Sequence, residues 1–271
     1  MLSLFFVLSR LKRLVKKIKD CNQNTIFAGC VSACALSTFF ILPIGHLPIR
    51  KGNIMKEHMR ASATDANPPE TFYRPFLNYV QESVPVDEEA RTLIADHCKL
   101  VSFDKGQRLL NMGGVCRYIY FILSGNCISY LTDSLGKTTT WFFHFNQPES
   151  NIKNLFAVDY KSFLSGGPAA VSIETLSPVT AIRFSVEDVH ALSEGSRAID
   201  RWLRLISEQA YMLTCERATT LMTLSAPERY RKLLANEPHL LNMFSNHYVA
   251  TYLNVAPQSL SRIRGKFASG I

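Results

Sequence analysis

Apolar residues follow several different spacings along this chain, and each spacing predicts a different element. Residues 25–44, TIFAGCVSACALSTFFILPI, form an uninterrupted apolar run, and residues 59–70 are polar around Pro68-Pro69. Phe72, Phe76, Leu77 and Val80 then share one face of a short helix. After Pro85, Asp87 opens a second helix with Ala90, Leu93, Ile94, His97 and Cys98 at helical spacing. From Val101 to Phe184 the period shortens. The turn signals DKGQ (104–107), NMGG (111–114), SGN (124–126) and DSLGK (133–137) recur about every ten residues. Between and after them lie the strand-like runs YIYFIL (118–123), CISYL (127–131), TTTWFFHF (138–145) and VTAIRF (179–184). Several short strands at such spacing predict a β-sandwich or barrel, with Trp141, Phe142, Phe143 and Phe145 as core and roll-closing contacts.

Helical spacing returns at Arg197. Ile199, Leu203, Ile206, Ala210 and Leu213 alternate by four and three residues, with Trp202 beside them and Arg204, Glu208, Glu216 and Arg217 flanking. This is the seam spacing of two packed helices, against a second copy or against the chain's own core. Its place between a β-rich region and a C-terminal module favours the second copy. The pattern weakens at Arg217 and Thr220 and resumes at Leu221 and Leu224. Ser225-Ala226-Pro227-Glu228 then combines a capping box with a proline in the first turn, and the helix it opens stops near Asn236. In the final segment Val249, Ala250 and Leu253 line one face of a short helix. Asn254 takes the turn, Val255 plugs the corner, and a second helix from Ala256-Pro257 turns Leu260, Ile263 and Phe267 inward. Asparagine tolerates the left-handed backbone that such a corner needs, so the pattern is a helix-turn-helix.

Composition narrows the classes. With 47% hydrophobic and 19% charged residues over 271 positions, the chain is neither disordered nor collagen-like. The formal charge is +8, but residues 1–54 hold eight Lys/Arg and one Asp, so the basic surplus is almost entirely N-terminal. Net charge therefore gives no argument for a nucleic-acid partner. Arg10, Lys12, Arg13, Lys16, Lys17 and Lys19 precede the apolar run, which is long enough to cross a bilayer at about 20 residues. Two readings stand. One is a membrane anchor, which by the positive-inside tendency would export everything after residue 44. The other is a start placed too far upstream, since Arg50-Lys51-Gly52 is encodable as a purine-rich ribosome-binding tract just before Met55, with Met55 or Met59 as the true start. The seven cysteines are scattered without a CxxC pair; Cys21, Cys30 and Cys34 could in principle ligate an iron–sulfur cluster but read as small apolar residues. His97 has no partner at metal spacing. No P-loop, GxSxG, HExxH or dinucleotide fingerprint occurs, so no enzyme and no cofactor is expected.

The candidate chemistry lies on the outer face of the last helix, where Gln258, Ser259, Ser261, Arg262, Arg264 and Lys266 stand in a segment (238–271) without Asp or Glu. A recognition helix sets its N-terminal residues on base edges. Gln258, Ser259 and Arg262 are the expected base contacts, Gln and Arg suiting adenine and guanine edges. Ser261, Arg264, Lys266 and His247 are the expected phosphate contacts.

The fragments YFILSG (120–125), WFFHF (141–145), YKSFLSGGPAAVSIETL (160–176), LSAPERYRKLL (224–234) and YVATYLNVAPQSLSRIRGKF (248–267), in this order, resemble the Crp/Fnr family of bacterial transcription regulators. The resemblance covers about residues 72–267 and implies an α+β fold. It implies a cyclic-nucleotide-binding-like antiparallel β-roll, jelly-roll in type, over 72–196, a dimerisation helix over 197–224 carrying Ile199, Leu203, Ile206, Ala210 and Leu213, and a helix-turn-helix domain over 225–271. Residues 1–58 are an extension outside it. The implied partners are double-stranded DNA, a second copy of the chain, RNA polymerase and a small effector of unknown identity. The implied location is the cytoplasm, or the inner membrane if residues 25–44 are translated. Family members that bind cyclic nucleotide carry Gly-Glu and Arg-Ser/Thr pairs in a phosphate cassette. Here Val158-Asp159 and Ala169-Ala170 stand in their places, with Ser172 nearby, so cyclic AMP or GMP is not expected. The chain also ends four residues after Phe267, where many members continue into a β-hairpin wing. The alternative reading is a ligand-binding or interaction module, cytoplasmic or membrane-tethered, with the same fold and little DNA binding.

Overall fold

A computed structural model describes residues 72–269; the N-terminal extension, with its apolar run and Cys21, Cys30 and Cys34, lies outside the described residues. Helices α1 (Arg74–Gln81) and α2 (Glu88–His97) come first. The Asp87 carboxylate accepts the Ala90 amide at 2.8 Å, and Glu88 and Glu89 in the first turn suit the positive end of the helix dipole. Eight strands follow: β1 (Lys99–Phe103), β2 (Arg108–Leu110), β3 (Tyr118–Ser124), β4 (Cys127–Thr132), β5 (Thr138–His144), β6 (Phe156–Ala157), β7 (Ser172–Thr175) and β8 (Val179–Ser185). They form two four-stranded antiparallel sheets, ordered β1-β8-β3-β6 and β2-β7-β4-β5. Strands β3, β4, β5 and β8 are the ones the apolar runs predict. Gly125 makes the tight turn between β3 and β4 at φ 86°, where an added Cβ would collide with the Pro178 carbonyl. Short helices α3 (Ile152–Leu155) and α4 (Tyr160–Ser165) lie between β5 and β7.

After β8 the chain is helical: α5 (Val186–Gly195), α6 (Arg197–Thr223), α7 (Ala226–Asn236), α8 (Leu240–Met243), α9 (Asn246–Tyr252) and α10 (Pro257–Ala268). The Glu228 carboxylate accepts the Ser225 amide at 2.7 Å and its hydroxyl at 2.6 Å, which fixes the start of α7. Two apolar cores hold the fold. In the first, Phe121, Ile122 and Ile182 of the sheets pack with Phe76 and Val80 of α1 and with Ile199, Trp202 and Ile206 of α6. In the second, Ile128, Phe143 and Phe145 pack against Tyr230, Leu240, Phe244, Val249, Ala250, Leu253 and Leu260 of the C-terminal helices.

Ile199 and Ile206 of α6 belong to the chain's own core, and Leu203, Ala210 and Leu213 are partly buried against it. Phe143 of β5 and Phe145 just after it are core residues, as expected, and lie in the second core under the C-terminal helices, where Phe143 stacks on Phe244 at 4.0 Å between ring centres.

The weakening of the helical pattern at Arg217 also has a cause. The Arg217 side chain is buried, its Nε donating to the Trp141 carbonyl at 3.1 Å and its Nη2 to the carbonyls of Thr140 at 2.8 Å and Tyr252 at 2.6 Å. The guanidinium also lies 3.9 Å from the centre of the Tyr252 ring, and burial lowers its pKa. Tyr252 in turn donates to Glu237 at 3.0 Å, and Glu237 pairs with Lys153 at 2.6 Å. Arg217, Tyr252, Glu237 and Lys153 thus connect α6, α9, the end of α7 and α3.

Candidate nucleic-acid interface

The corner between α9 and α10 is built from backbone constraints. Asn254 has φ 51°, the one positive φ at a non-glycine among the described residues. The Val255 amide closes the turn on the Ala250 carbonyl at 2.9 Å, and fully buried Ala250 lets the helices approach. Arg229 of α7 donates to the Leu253 carbonyl at 2.9 Å, and Lys137 in the β4–β5 turn donates to Asn254 Oδ1 at 2.8 Å. A hydroxyl pair, Thr140 and Thr251 at 2.7 Å, joins β5 to α9. Leu260 is buried, while Ile263 and Phe267 are partly buried, Phe267 meeting the Tyr230 ring edge-on at 5.2 Å.

These constraints turn the polar face of α10 outward. Gln258, Ser261, Arg262, Arg264 and Lys266 are exposed, and Ser259 is partly buried. The Ser261 hydroxyl donates back to the Pro257 carbonyl at 3.3 Å, and the exposed His247 ring rests 5.4 Å from that of Tyr248. Arg262, Arg264 and Lys266 make no ion pair among the described residues, so their charge is uncompensated. Arg264 alone of the three has a side-chain partner in the structure, Asn246 Oδ1 at 2.7 Å. Sequence reasoning missed Asn246, Arg217 and also Arg231, whose guanidinium lies 5.6 Å over the Phe267 ring. A cation at the sixth position of a capped helix, next to the inward Tyr230, carried the signal for Arg231.

The cassette residues are brought together between the sheets and α4. Asp159 is buried, its Oδ1 accepting the Ser162 amide at 3.0 Å and its Oδ2 the amides of Ala170 at 2.7 Å and Val171 at 3.3 Å. Ala169 exchanges backbone hydrogen bonds with Gly113 and Gly114, and the Ser172 hydroxyl accepts the Met112 amide at 3.0 Å. The amides that converge here already surround an anion, the chain's own carboxylate. Elsewhere, burial pushes the Cys127 thiol up to about 12 and raises that of Cys98, so neither is a nucleophile. His97 bonds Asp188 at 3.0 Å, and no group of three metal-ligating side chains occurs among the described residues.

No protein-family model and no curated protein matches the chain. Solved structures do. FixK2 from Bradyrhizobium japonicum superposes with a TM-score of 0.54 at 15% identity, covering 64% of this chain and 85% of its own. CLP, the c-di-GMP-responsive global regulator of Xanthomonas campestris, gives 0.52 at 16% identity over 68% of this chain and 93% of its own. A protein of Eubacterium rectale assigned to the Crp/Fnr family of regulators gives 0.54 at 15% identity over 73% and 88%. The two antiparallel sheets, the long α6 and the helices after it therefore have the fold of the Crp/Fnr regulators.

Proposed function

We propose that this chain is a DNA-binding transcription regulator of Crp/Fnr type, reading sequence through α9 and α10 as a helix-turn-helix. The observation that carries the reading is the outer face of α10, exposed, cationic and free of ion pairs among the described residues, on a helix whose opposite face is anchored by Leu260. In this reading Gln258, Ser259 and Arg262 meet base edges, and His247, Ser261, Arg264 and Lys266 meet phosphates. The division of labour is a roll over 72–196, a dimer helix over 197–224 and a DNA module over 225–271. Ile199 and Ile206 reach the chain's own core, and the second copy docks on what α6 leaves uncovered: the partly buried Leu203, Ala210 and Leu213, and Met212 and Met222, which are 60% and 57% exposed. Two α10 helices then enter major grooves about one helical turn apart. With the cassette amides satisfied by Asp159, the roll acts as a scaffold or answers an effector other than a cyclic nucleotide. Such a protein works in the cytoplasm, and no helix among the described residues is long and apolar enough to cross a membrane.

Footprinting across the genome with the tagged full chain recovers the operator, and a competition shift assay then tests the residues. Arg262→Ala abolishes preference for the operator over random DNA. Lys266→Ala weakens both about equally and lowers the slope of log affinity against log salt by about one. An Arg262→Ala protein that kept its operator preference would falsify the base-reading role.

A further inference from the structure

Most cations near the C-terminal helices are already engaged. Arg217 and Arg229 donate to backbone carbonyls, while Lys153 and Lys232 are paired with carboxylates. Arg264 differs from all four. It is exposed, and its Nη1 donates to the neutral side-chain oxygen of Asn246 at 2.7 Å. Asn246 is the first residue of α9 and Arg264 lies in the second half of α10, so the bond spans the two helices of the pair. A carboxylate at position 246 would hold the guanidinium equally well and cancel its charge. An amide fixes its direction and leaves the charge whole. Four of the five guanidinium N–H groups stay free, in a planar fork suited to two phosphate oxygens. His247, next in sequence, is exposed at the same end of the pair.

We propose that Asn246 is a positioning residue, holding Arg264 ready for a DNA phosphate while Arg262, two residues earlier, stays unrestrained for base edges. The proposal rests on the DNA-binding reading above. A long side chain fixed before binding loses less rotamer freedom on contact, so Asn246 improves affinity roughly three- to tenfold without adding a charge. Asp at the same position is favourable for helix α9, because it suits the dipole at the first turn. Affinity and helix stability therefore respond in opposite directions to Asn246→Asp, which separates positioning from a structural role.

The experiment titrates sheared genomic DNA with the full chain over a range of salt, for wild type, Asn246→Ala, Asn246→Asp, Arg264→Ala and the Asn246→Ala/Arg264→Ala double variant, with the melting temperature of each recorded. Asn246→Ala is expected to weaken binding roughly three- to tenfold at an unchanged salt slope, and to have no effect once Arg264 is gone. Asn246→Asp is expected to lower the salt slope by about one, as Arg264→Ala does, while leaving the melting temperature unchanged or raised. Equal losses from Asn246→Ala with and without Arg264, or a wild-type slope for Asn246→Asp, overturn the positioning role alone. Wild type that fails to bind genomic DNA overturns the DNA-binding reading and this inference with it.

Discussion

His144 is fully buried on β5, with its Nε2 at 3.0 Å from the Ser129 hydroxyl, and burial lowers its pKa to about 4. The neutral imidazole is the folded form, whereas in the unfolded chain the group takes its ordinary value of about 6.5. Below that value the unfolded state binds a proton that the folded state refuses. Stability therefore falls as pH drops from about 6.5 toward about 4, by about 3 kcal/mol across the window. Urea unfolding of wild type and His144→Gln at pH 7 and pH 4.5 checks this: the wild type is expected to lose more on acidification, because glutamine does not titrate. Asp159, one strand further along the chain, is buried as well. Three amides face its carboxylate, and its side chain was legible as a cassette position while its hydrogen-bond partners were not.

Among elements, the interplay of local and distant information decides what the sequence reveals. The strands β3, β4, β5 and β8 are apolar runs bounded by turn residues, and the α9–α10 corner needs only Ala250, Asn254 and Val255, all within six positions. Such elements declare themselves locally. Strands β1, β2, β6 and β7 do not, because they are short and gain their order by pairing with neighbours, as Val101 does with Ala181 and Tyr120 with Ala157. The partners of Arg217 lie 76, 77 and 35 residues away, so sequence spacing shows only a charged interruption in an apolar stripe. The side faced by Ile199 and Ile206 is equally invisible, since a seam has the same spacing whichever surface covers it. Arg217 gives a test at this scale. Arg217→Met leaves three buried carbonyls without their donor and is expected to cost about 3 kcal/mol. Arg217→Lys recovers only part of that, because an ammonium cannot reproduce the planar fork. Chemical denaturation midpoints for the two variants measure the difference; equal stability of Arg217→Lys and wild type would show that charge alone suffices.

In the whole molecule, the sheet β2-β7-β4-β5 and the C-terminal helices are two sides of one core, with Ile128, Phe143 and Phe145 facing Leu240, Phe244, Val249 and Leu260. A chain cut after Thr223 would present those sheet residues to water as a contiguous apolar patch. Such a truncated protein is expected to self-associate, giving oligomers by light scattering coupled to size-exclusion chromatography, whereas a monodisperse product would mean that the patch closes on itself. The shared core also bears on how this protein could be rebuilt. Its C-terminal helices cannot be treated as a detachable cassette: transplanting them onto another β-roll would require carrying strand β5 and Arg217 along as a grafting surface.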